Sequence, residues 1–92
     1  MGDTSIKILI ENYDGKEGYV TGSFFYQNIG PVPFRIYRRA LEPAIFNLRA
    51  NLATFHGKDL ERESIDYLFF NYCLYTSILH EIEPSWEKSH LQ

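Results

Sequence analysis

Ile65-Asp66-Tyr67-Leu68-Phe69-Phe70-Asn71-Tyr72-Cys73-Leu74-Tyr75-Thr76-Ser77-Ile78-Leu79-His80-Glu81-Ile82 is the stretch on which the fold turns. Ile65, Leu68, Tyr72, Tyr75, Leu79 and Ile82 recur at alternating spacings of three and four, the period of one helical face. Phe69, Phe70, Cys73, Leu74 and Ile78 widen that face well beyond the usual stripe of about 100°. A helix apolar over most of its circumference needs cover on two sides. One side is expected to be the chain's own sheet, and the other a second copy or a partner. Bilayer insertion is not expected, because Asp66, Asn71, His80 and Glu81 interrupt the segment.

The region before this helix reads as strands. Ile6, Ile8 and Ile10 alternate with Lys7, Leu9 and Glu11, a period-two pattern with one buried face. Asp14-Gly15 marks a hairpin, since both residue types tolerate positive φ. In Gly18 to Gln27, Val20, Gly22, Phe24 and Tyr26 share one face, and Tyr19, Thr21, Ser23 and Phe25 the other. A second turn is expected at Asn28-Ile29-Gly30-Pro31 and a third strand over Val32 to Arg39. Pro33 places that strand at a sheet edge or a bulge, because proline donates nothing to a ladder.

Glu42-Pro43 reads as the start of a first helix, with Pro43 at the first position of its first turn, where its missing N–H does no harm. Ile45, Leu48, Leu52 and Phe55 form its apolar side, and Asn47, Arg49 and Asn51 face water. His56-Gly57 is its expected stop, and Asp59 the expected cap of the long helix, which should end before Pro84. The expected fold is therefore α+β. It is a three-stranded antiparallel meander followed by two helices, in one domain over residues 1–92, with a polar tail from about 84.

The 92 residues can bury about 60–65% of their unfolded surface, enough for one core and little for a deep cleft. Seven Phe, seven Tyr and one Trp supply that core and leave tyrosines for an interface. The single cysteine, Cys73, reads as a small buried hydrophobe in a reducing, cytoplasmic setting, the host cytosol if the chain is viral. No secretory leader is expected, since the strand pattern begins at once. Met1-Gly2 lacks the Ser or Thr at position 6 that myristoylation requires, because Ile6 stands there.

No pattern points to catalysis, a metal or a cofactor. Glu81 and Glu83 are two apart and diverge on a helix, while Glu63 and Asp66 share a face with no cleft to split their pKa values. His80-Glu81 lacks a histidine four residues after His80, where Pro84 stands. His56, His80 and His90 fall in different segments. Cys73 and His80 lie about 10 Å apart along a helix axis, too far for a nucleophile and its base.

What remains is binding. The leading expectation is a non-enzymatic regulator or inhibitor of a macromolecular partner, acting as a homodimer. Self-association is assigned to Phe69, Tyr72, Tyr75, Leu79 and Ile82, and contact with a protein partner to Glu61, Glu63, Asp66, Glu81 and Glu83. Residues 1–40 set five cations against four acids, whereas residues 41–92 set four cations against eight acids. The helical half is thus an acidic surface that could attract a basic partner. The alternative is a nucleic-acid-binding module built from Arg35, Tyr37, Arg38 and Arg39. In size and charge partition, though in no motif, the chain resembles small phage-encoded inhibitors, including DNA-mimicking antirestriction proteins. That likeness implies a target among host proteins that act on nucleic acid.

Overall fold

A computed structural model describes residues 6–55 and 62–86. Three strands, β1 (Ile6–Tyr13), β2 (Tyr19–Tyr26) and β3 (Ile29–Tyr37), precede two helices, α1 (Arg38–Phe55) and α2 (Arg62–Ile82). The sheet is an antiparallel meander in the order β1-β2-β3, which makes the fold α+β. No described helix is long and apolar enough to cross a membrane.

The first hairpin forms where Asp14-Gly15 indicates. Gly15 takes φ 91°, and the Gly18 N–H closes the turn on the Gly15 carbonyl at 3.1 Å. The second turn lies earlier than expected, at Gln27-Asn28, with Tyr26 paired to Ile29. Gln27 takes the positive φ of 55° that so tight a reversal requires, and Gly30 at φ 131° absorbs the register shift between Phe24 and Tyr26. Pro33 sits opposite Ser23 on an outer strand, as its missing donor demands.

Cross-strand register sorts the side chains. Ile6, Ile8, Ile10 and Tyr13 of β1 line up with Tyr26, Phe24, Gly22 and Val20 of β2, and these with Val32, Phe34 and Ile36 of β3. This face packs under the helices on a core of Val20, Leu41, Ile45, Leu74, Ile78, Leu79 and Trp86. Gly22 is needed there, because a Cβ at this position would overlap the Leu9 carbonyl oxygen. Phe70 stacks edge-on against Tyr26 at 5.0 Å and Glu83 bonds Tyr13, so α2 runs alongside β1 in the same direction.

Three boundaries differ from the sequence reading. The third strand stops at Tyr37, and Arg38 and Arg39 open α1, so Pro43 lies inside the helix rather than in its first turn. Burial of Arg38, Leu41 and Ile45, at 3%, 1% and 0% exposure, outweighs the carbonyl that Pro43 leaves without its helical donor. The chain beyond Pro84 is not simply a polar tail. Trp86 is 4% exposed, and its ring centroid lies 6.4 Å from that of Phe46 on α1. The expected helix stop at His56-Gly57 and cap at Asp59 lie outside the described residues.

Candidate functional site

Among the described residues, the helices cover one face of the sheet and leave the other open. Lys7 and Leu9 of β1, Tyr19, Thr21, Ser23 and Phe25 of β2, and Pro33, Arg35 and Tyr37 of β3 project from that open face. Their positions follow from alternation, since a strand whose even residues face the core must show its odd ones to the other side. Leu9 is 55% exposed, Tyr19 43% and Tyr37 39%, a large apolar area for a small protein.

Two clusters organise this face. At one end the Arg35 guanidinium carbon lies 3.9 Å from the centroid of the Tyr19 ring, and Tyr19 and Tyr37 sit 5.4 Å apart as a directly opposed pair. The exposed planar cation is held on an aromatic face. Arg39 lies in the adjoining first turn of α1, 3.4 Å from Glu17, and both side chains are well exposed. At the other end a shallow hollow of about 540 Å³ is lined by Lys7, Leu9, Phe25 and Gln27. Thr21 and Ser23 form the small neutral strip between the two clusters.

Arg38 belongs to neither cluster. Its Nε and Nη2 donate to the two carboxylate oxygens of Glu83 at 3.1 and 2.6 Å, and Nη2 also donates to Glu42 at 3.2 Å. The Tyr13 hydroxyl donates to the same Glu83 at 2.7 Å. Hydrogen bonds from Arg38 hold the Glu83 carboxyl below its ordinary range against the opposing effect of burial, with Tyr13 assisting. Burial and the Glu83 bond push the Tyr13 phenol up. Burial acts to lower the Arg38 pKa, but its bonds to Glu83 and Glu42 prevail and raise it. This network ties β1, α1 and the end of α2 together, a structural task.

The assigned residues therefore divide. Of the nucleic-acid set, Arg35 and Tyr37 share one end of the open face, Arg39 lies in the adjoining first turn of α1 beside Glu17, and Arg38 is withdrawn into the Glu83 network. Of the acidic set, Asp66 and Glu81 are exposed, while Glu83 is turned inward to Arg38 and Tyr13. Glu61 and the Glu63 side chain lie outside the described residues. Of the self-association set, Leu79 is fully buried in the core, and Tyr72, Tyr75 and Ile82 pack against it. Phe69 stands at 45% exposure. Within the chain, Leu79 and the flank of this stripe face the core, since one helical period cannot tell an internal neighbour from an external one.

Lys7, Leu9, Tyr19 and Phe25 were not singled out in the sequence. Strand alternation did place Tyr19 and Phe25 opposite Val20, a signal that would have found them. Among the described residues, no group of three or more His, Cys, Asp or Glu could hold a metal ion. No protein-family model, curated protein or solved structure matches the chain.

Proposed function

We propose that this chain is a small non-enzymatic interaction protein that regulates or blocks a macromolecular partner, docked on the open face of its sheet. The observation that carries the reading is the uncovered set Leu9, Tyr19, Phe25, Arg35 and Tyr37. These side chains lie on the face turned away from the core and are held at fixed spacing by the strand register. Tyrosine and arginine are favoured interface anchors, having large contact areas and polar tips. Homodimerisation through α2 would rest first on Phe69, the exposed member of its assigned set, since Leu79 is fully buried. The open face is the broader surface.

The test compares tagged wild-type chain with the double variant Leu9→Glu, Tyr37→Ala in a pull-down. Both changes lie on exposed positions, so the thermal melts should nearly coincide. A partner held by the wild type should be lost by this variant and kept by Asp66→Asn, Glu81→Gln. Retention by the open-face variant, with loss by the acidic one, would move the site to the helical half.

A further inference from the structure

The open face carries more than apolar area, and its charge narrows the choice of occupant. The charged side chains set among its aromatics are Lys7 and Arg35, both cationic. The nearby acids lie at its margins, Glu11 at the bulge between Ile10 and Asn12, and Glu17 beside Arg39. The described acids of the helical half are Glu42, Asp66, Glu81 and Glu83, of which Glu42 and Glu83 are paired with Arg38. The cations set among the aromatics thus favour an anionic ligand on this face.

Aromatics and cations also alternate along the face. Tyr19, Tyr37 and Arg35 stand at one end, and Phe25 and Lys7, which are paired across the strands, at the other. Residues 19 and 25 of one strand are about 20 Å apart at roughly 3.4 Å per residue. That span accommodates several nucleotides at the 3.4 Å rise of a stacked strand. Bases stack on aromatic faces regardless of sequence, and cations beside them track the phosphates. A duplex offers no unstacked base to such a flat surface, so a single strand fits where a double helix does not.

We infer that the occupant of the open face is a single-stranded nucleic acid. Its bases stack on Tyr19, Tyr37 and Phe25, and its phosphates meet Arg35, Lys7 and Arg39. This inference rests on the open-face reading and replaces Arg38 in the sequence-derived set by residues of β1 and β2. Arg39 would exchange its exposed Glu17 partner for a phosphate.

Fluorescence anisotropy with labelled oligothymidylate and oligouridylate of about ten nucleotides tests it. Binding is expected at about 50 mM salt and should weaken steeply by about 200 mM, with a matched duplex binding more weakly. Tyr19→Ala and Tyr37→Ala should each cost about 5- to 100-fold in affinity, while the Phe variants at both positions keep stacking and binding. Arg35→Glu should cost at least about tenfold more than Arg49→Glu, an equal charge change on exposed α1. No binding at the lower salt, or equal losses for Arg35→Glu and Arg49→Glu, would overturn the inference. A nuclease-resistant protein lost by Leu9→Glu, Tyr37→Ala, alongside failed oligonucleotide binding, would leave the open-face reading standing and make the occupant a protein. Failure of both assays would remove both.

Discussion

Arg38 and Glu83, forty-five positions apart, form a two-point ion pair with contacts of 2.6 and 3.1 Å, and the arginine is 3% exposed. The pair fixes the first residue of α1 to the turn that ends α2. The Arg38 N–H also bonds the Gly18 carbonyl at 3.0 Å, so the same residue anchors the first hairpin. Arg38→Met should destabilise the fold by about 2–4 kcal/mol, because it leaves a partly buried carboxylate uncompensated. Adding Glu83→Gln should recover part of that loss. Urea denaturation of the two single variants and the double variant measures the coupling, and strict additivity would deny it.

The same pair sets the acid limb of stability. Glu83 has a folded pKa below its unfolded value, so its contribution is complete above the ordinary glutamate value of about 4.3. It is lost as pH falls through the lower, folded value. Melting temperature against pH should drop in that window, and Glu83→Gln should flatten the drop. Tyr13 works in the opposite direction. Its raised phenol pKa gives a contribution complete below the ordinary tyrosine value of about 10, lost as pH rises through the folded one.

Trp86 closes the core from beyond Pro84. Trp86→Ala should cost about 3–5 kcal/mol, the range for removing a buried aromatic. Urea curves followed by circular dichroism would show it, and a loss below about 1 kcal/mol would mean that Trp86 does not pack as described.

Leu79→Ala separates core from interface. A fully buried leucine should cost about 2–5 kcal/mol in stability at any protein concentration. If the loss instead grew with dilution, sedimentation would show Leu79 serving an oligomer.

Gly22→Ala tests the close approach of β1 and β2. The added methyl would meet the Leu9 carbonyl and backbone atoms of Ile10 rather than a movable side chain. A destabilisation of about 1–3 kcal/mol is expected by thermal melt. Gly15→Ala, which has open space but a φ of 91°, should cost about 1–2 kcal/mol through backbone strain alone.

The sequence by itself determined the elements and their order. Alternation over Ile6–Ile10 and Val20–Tyr26, Asp14-Gly15 as a turn, Pro33 on an outer strand and Pro84 past the long helix are local signals. Each acts over a few residues, where backbone sterics and side-chain period suffice. Tertiary structure alone decided which surfaces were covered. Arg38 looked like a strand cation until Glu83 turned it inward, and Trp86 looked like tail until Phe46 and the core received it. Leu79, read as part of a seam for a second copy, is fully buried in the core, and Tyr72, Tyr75 and Ile82 pack partly against it. Periodicity states that a face is apolar but not what will cover it, because that depends on contacts spanning 45 and 70 positions. The open face was half legible for the same reason. Arg35 and Tyr37 are two apart on one strand, while Lys7, Tyr19 and Phe25 join them only through cross-strand register.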